Sequence, residues 1–128
     1  MFLQIKNTTI GYQKPLISEV NASLDFGDVC LLIGNNGVGK TTLIKSILNQ
    51  ISLLQGDILI NKKNVIKLTD KEIAEQIAVV FAKSQIPANY TTEDLISLGK
   101  FIHLPFYYQL ENEDVEHVNS IISQLKLE

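Results

Sequence analysis

With 128 residues, 45% hydrophobic and 20% charged, the chain has the size and composition of about one folded domain. It is neither a charge-rich disordered polymer nor a membrane protein by content. The 11 Lys and Arg against 14 Asp and Glu leave a net charge of −3, which argues against a nucleic-acid footprint over the whole surface, so no nucleic-acid partner is expected. No apolar run approaches the ~20 residues that cross a bilayer, and the N-terminus carries no signal-peptide stretch. A cytosolic setting is expected. The single Cys30 excludes an internal disulfide and, inside an apolar run, reads as a buried thiol.

In chain order, Leu3 and Ile5 alternate with polar neighbours, and Val20, Ala22, Leu24 and Phe26 alternate with Asn21, Ser23 and Asp25. That period of two predicts antiparallel strands with one buried face, and Gly27-Asp28 supplies a turn. Residues 29–33 are apolar at every position, which predicts a strand covered on both faces, as in parallel sheets. They run directly into Gly34-Asn35-Asn36-Gly37-Val38-Gly39-Lys40-Thr41, after which Leu43, Ile44, Ile47, Leu48 and Ile51 recur at helical spacing. After Gly56-Asp57, Ile58 and Ile60 alternate ahead of the polar Asn61-Lys62-Lys63-Asn64, a short exposed hairpin. Thr69-Asp70-Lys71-Glu72 fits a capping box opening a helix to about Gln76, and residues 77–81 form a second all-apolar strand.

Beyond Phe81 the character changes. Pro87-Ala88-Asn89-Tyr90 reads as a loop, Thr91 with Asp94 caps a helix through Leu98, and an aromatic stretch covers residues 101–108. Asn112 can cap a last helix, with Glu113, Asp114 and Glu116 in its first turn and Val115, Val118, Ile122 and Leu125 along one face. No internal repeat or low-complexity tract interrupts this order. The fold class is α/β: residues 1–84 combine an antiparallel β part with a strand–loop–helix core, and residues 85–128 begin a mainly helical subdomain.

Residues 34–41 match the phosphate-binding loop, in which two glycines precede Lys and Ser/Thr. A triphosphate is a concentrated anion. Consecutive backbone N–H groups curled at a helix N-terminus present donors and dipoles to it, which needs residues that tolerate unusual φ and close approach: Gly34, Gly37 and Gly39. Asn35, Asn36 and Val38 complete the loop. Lys40 sets a compact positive charge against the β and γ phosphates, Thr41 offers a hydroxyl to Mg²⁺, and Thr42 reaches towards the α phosphate side. The loop follows an apolar strand and opens a helix with a buried face, the context that separates a nucleotide site from an incidental glycine turn.

Four segments carry a family resemblance over essentially the whole chain: Thr9-Ile10-Gly11-Tyr12, Asn21-Ala22-Ser23-Leu24 with Gly27-Asp28, the loop from Gly34 to Leu43, and Gly56-Asp57-Ile58-Leu59-Ile60-Asn61. Together they resemble the P-loop NTPase core of an ABC transporter ATP-binding subunit. Thr91-Thr92-Glu93-Asp94-Leu95-Ile96-Ser97-Leu98-Gly99-Lys100 is similar to the corresponding segment of importers for iron complexes, haem and cobalamin. The resemblance implies ATP and Mg²⁺ as cofactors, Tyr12 stacked on adenine, a transmembrane permease as partner, a second copy in the working dimer, and a cytoplasmic position on the inner membrane face. It also implies a glutamine after residues 77–81. Ala82 stands there, and Gln85 is the nearby glutamine; it serves that role or is an exposed loop amide, just as Tyr12 stacks on a base or packs at a strand edge.

His103 and His117 lack a third ligand at metal spacing. Phe101, Phe106, Tyr107 and Tyr108 form either the permease groove or the core of the helical subdomain. Phosphoryl transfer to water needs a carboxylate for Mg²⁺ and a group to orient the water. In the family these are an Asp-Glu pair ending an apolar strand, downstream of a Leu-Ser-Gly-Gly-Gln type segment, and neither stands in this sequence. The chain thus reads as the N-terminal half of such a subunit, inactive by itself as an ATP hydrolase. Two other functions fit: a soluble ATPase of the same type acting on ribosomes or DNA, and a non-enzymatic truncated form that sequesters nucleotide.

Overall fold

The structure, a computed structural model, describes residues 1–83, 86–101 and 109–127. The chain divides into two compact units, Met1–Gln76 and Ile77–Glu128, whereas the sequence places the division after residue 84.

The first unit is built on β1 (Leu3–Gly11), β2 (Pro15–Leu24), β3 (Gln55–Ile60) and β4 (Lys63–Asn64), ordered β2-β1-β3-β4 with every pair antiparallel. β1 is paired on both sides, with Leu3 opposite Leu24 on β2 and opposite Ile60 on β3. Its alternation is interrupted where Asn7 adopts φ 45° and the register with β2 shifts. Asn21 closes that irregularity, its carboxamide accepting from the Asn7 N–H at 2.9 Å and donating to Asn7 Oδ1 at 3.0 Å. Asn61 and Lys62, at φ 46° and 68°, make the tight turn from β3 to β4, a hairpin connection that needs positive φ at both central positions.

Helix α1 (Lys40–Ile47) packs on β1. It ends where Asn49 turns left-handed at φ 56° and the Gln50 N–H reaches back to the Lys45 carbonyl at 2.9 Å. Leu43 and Leu48 join Leu3, Ile5, Ile10, Ile58, Ile60, Val65, Leu68 and Ile73 in the core. Each such side chain contributes about 1.5–3 kcal/mol by leaving water. Helix α2 (Asp70–Ala74) opens on the expected capping box, the Glu72 N–H donating to Thr69 Oγ1 at 3.2 Å and the Thr69 N–H to the Glu72 carboxylate at 2.8 Å.

The second unit carries α3 (Thr92–Ser97) and α4 (Asn112–Leu125), which pack on each other with Val118 buried between them and Lys100 paired to Asp114 at 3.3 Å. Helix α3 has its expected Thr91–Asp94 box. For α4 the cap is Glu111, one residue before the expected Asn112.

Three expectations are corrected. Residues 29–33 and 77–81 are not strands, and Val29 and Val80 stand 99% and 97% exposed. A strand apolar on both faces gains its stability from neighbours on both edges and cover on both sides, and none of the described residues supplies them. Cys30 is consequently exposed. On β2, Val20 and Leu24 are half-buried but Ala22 is exposed, because the helix covers β1 while β2 lies at the sheet edge.

Candidate functional site

The segment between residue 33 and α1 is shaped by its glycines. A turn closed by the Val38 N–H on the Asn35 carbonyl at 3.3 Å puts Gly37 at φ 80°, the left-handed region in which a side chain is strained. Gly39, at φ 113°, is buried, and a Cβ there would come within 3.0 Å of Ile17 Cδ1 on β2. The loop is thus seated on the hairpin by a residue that can carry no side chain. Leu16 and Ile17 form that seat. No local pattern in the sequence singles them out, because the contact joins a strand to a helix cap well over twelve residues away.

As the N-cap of α1, Gly39 offers no side-chain acceptor, and no acidic residue stands in the first turn. The first N–H groups of the helix therefore lack intrahelical partners, and the positive end of its dipole is open. Lys40 crosses the loop, its Nζ donating to the Gly34 carbonyl at 2.5 Å and the Asn35 carbonyl at 2.7 Å. An ammonium has three donors, so one remains for an anion. Thr41 is exposed while Thr42 is buried, which makes Thr41 the accessible hydroxyl of the first turn. A Cβ at Gly37 would meet nothing within 4 Å, so the loop is open at that position. Donors without acceptors, a cation and a free hydroxyl fit the phosphates of a magnesium nucleotide.

Tyr12 is 65% exposed and lies in the connection between β1 and β2, the end of the hairpin where Leu16 meets Gly39. The expected base-stacking residue and the loop therefore share one end of the first unit. Gln85, His103, Phe106, Tyr107 and Tyr108 lie outside the described residues. His117 is exposed on α4, and among the described residues no three His, Cys, Asp or Glu cluster as a metal site. Phe101 lines an open cleft of about 400 Å³ with Tyr90, Glu93, Ser97, Leu98 and Leu110, all within the second unit. No helix among the described residues is long and apolar enough to cross a membrane.

A glycine-rich loop opening a helix, backed by an antiparallel hairpin, defines a nucleotide-binding fold of the P-loop class. The family model described as ABC transporter matches residues 17–128, and the chain belongs to that family. It is similar to the petrobactin import ATP-binding protein FpuD of Bacillus anthracis, 29% identical over 94% of this chain and 45% of that protein. The iron(3+)-hydroxamate import ATP-binding protein FhuC of Bacillus subtilis is 30% identical over 88% of this chain and 42% of its own length. A solved ABC transporter ATP-binding protein of Pyrococcus furiosus superposes with a TM-score of 0.67 at 28% identity, covering 77% of this chain and 46% of that one. The chain spans about half the length of the curated relatives it matches.

Proposed function

We propose that this chain supplies the nucleotide-binding part of an ATPase that powers import of iron complexes across a membrane. The observation that carries the site is the uncapped N-terminus of α1 with Lys40 across its mouth; the transported class comes from the printed functions of the relatives. In this reading the Gly37–Thr42 backbone N–H groups hold the phosphates. Lys40 exchanges a loop carbonyl for a terminal phosphate oxygen, and Tyr12 stacks on the base. The Thr41 hydroxyl would serve as a protein ligand for Mg²⁺, which would supply neutralisation of the phosphate charge. A permease subunit and a second copy complete the transporter on the cytoplasmic face of the membrane.

Turnover is assigned to the complete assembly. In these 128 residues no apolar run ends in Asp-Glu, so the attacking water has no carboxylate to orient it. The chain by itself binds Mg-ATP and releases no phosphate.

Calorimetry with Lys40→Ala tests the site. Binding of Mg-ATP weakens at least tenfold, about 1.4 kcal/mol or more for one lost charged contact. Tyr12→Ala weakens ATP and GTP alike, by roughly 1–3 kcal/mol, since stacking tolerates either base, and Tyr12→Phe is nearly neutral. Unchanged affinity in Lys40→Ala overturns the assignment.

A further inference from the structure

We propose that Asn36-Gly37 is a self-modification site, at which loss of ammonia converts the asparagine to an aspartyl or isoaspartyl residue and switches the loop off. The proposal rests on reading the loop as the phosphate site.

The asparagines of the chain are followed by Thr, Ala, Asn, Gln, Lys, Val, Tyr, Glu or Ser, and in a single case, Asn36, by Gly. Without a Cβ, the backbone nitrogen of Gly37 can be approached closely, and the space where a Cβ would stand is empty to 4 Å. Both residues are exposed, so water reaches them. Among the described residues neither the Asn36 carboxamide nor the Gly37 N–H takes part in a hydrogen bond. Other asparagines are held: Asn21 to Asn7 at 3.0 Å, Asn61 to Gln76 at 2.7 Å, Asn64 to Asp57 at 2.6 Å. Asn36 and Gly37 also lie in a turn, outside helix and strand, so closing a ring there breaks no ladder.

The chemistry needs water and nothing else. The Gly37 nitrogen, giving up its proton, attacks Asn36 Cγ; the N–Cγ bond forms, the Cγ–Nδ2 bond breaks, and ammonia leaves with that proton. The resulting five-membered imide is opened by water at either carbonyl, giving aspartyl or isoaspartyl linkage. No electron is transferred. Either product adds a negative charge to the loop read as the phosphate site, where like charges repel. The isoaspartyl product also inserts a methylene into the main chain and displaces the Gly37 N–H from the nest. A bound triphosphate, engaging that N–H, protects the step.

The test incubates the full chain in mildly alkaline buffer with and without Mg-ATP and follows each asparagine by peptide mapping and enzymatic isoaspartyl methylation. Asn35 and Asn89, exposed and outside regular structure, are the internal comparisons. Asn36 converts at least about tenfold faster than either, a barrier lower by 1.36 kcal/mol or more, and Mg-ATP slows it. Asn36→Gln, whose side chain would have to close a six-membered ring, resists conversion. Converted protein and Asn36→Asp bind Mg-ATP at least about tenfold more weakly than fresh protein, a loss of 1.4 kcal/mol or more. Conversion no faster than at Asn35 and Asn89, or converted protein that binds as tightly as fresh, overturns the proposal. Fresh protein that binds no Mg-ATP at all overturns the reading of the loop, and the switch with it.

Discussion

The alternating strands β1 and β3 and the continuously apolar stretches 29–33 and 77–81 draw on the same residue types, Ile, Leu, Val and Phe, with opposite outcomes. Ile58 and Ile60 are fully buried, while Val29 and Val80 are almost fully exposed. A strand with one apolar face needs one partner layer, and α1 with the short turn and helix after β4 supplies it from within the first unit. A strand apolar on both faces needs two layers and two neighbours. Burial in this chain is therefore decided by how many partners a pattern demands, and total hydrophobicity decides little.

The largest expected effect separates the two kinds of segment directly. Ile58→Ala removes buried methyl groups from a closed core and costs about 2–5 kcal/mol. Leu31→Ala, at an exposed position of the same chain, changes stability by less than about 0.5 kcal/mol. Denaturant unfolding of both variants measures the contrast; comparable losses would show that 29–33 is packed and would break the comparison.

The same contrast explains what could be read from the residues alone. Caps and turns were legible because their partners lie three residues away: Thr69 with Glu72, Thr91 with Asp94, and Asn61-Lys62 between β3 and β4. The glycine loop and the helix it opens were legible because the glycines, Lys40 and that helix form one continuous segment. The pairing of β1 with β3 and the seat of Gly39 on Ile17 were not, since both join residues far apart in sequence with no pattern naming the partner. Residues 29–33 and 77–81 misled for a related reason. Their composition states what environment a strand would need, and carries no information on whether it is provided.

A smaller effect sharpens the picture on the buried side. Ser46 on α1 is fully buried, and its hydroxyl has no hydrogen-bond partner among the described residues. An unsatisfied buried hydroxyl carries a desolvation cost, and alanine is the better helix former. Ser46→Ala should therefore stabilise the first unit by about 1 kcal/mol, read as a higher denaturation midpoint at unchanged slope. A loss instead would reveal a partner for the hydroxyl and an environment less apolar than its neighbours Leu43 and Leu48 imply.

The smallest effect compares the two units through the device they share. The Glu72 carboxyl is held below its ordinary value of 4.5, first by the Thr69 backbone N–H and then by its hydroxyl. The Asp94 carboxyl is held below 3.8, first by the Thr91 hydroxyl at 2.7 Å and then by its N–H at 2.8 Å. Each folded pKa is lowered, so each carboxylate's contribution is fully present above the ordinary value and is lost as pH falls below it and through the folded value. Circular dichroism and thermal unfolding followed downwards from about pH 6, a range in which both groups are still ionised, should show α2 and α3 weakening only in that acid window. Glu72→Gln and Asp94→Asn should each remove their share of that acid dependence while leaving the Thr hydroxyl to cap the N3 amide, whereas Thr69→Ala and Thr91→Ala should weaken the helices at every pH. Acid sensitivity that survives undiminished in the double variant Glu72→Gln/Asp94→Asn would place the titrating groups elsewhere, and the equivalence of the two caps would fail.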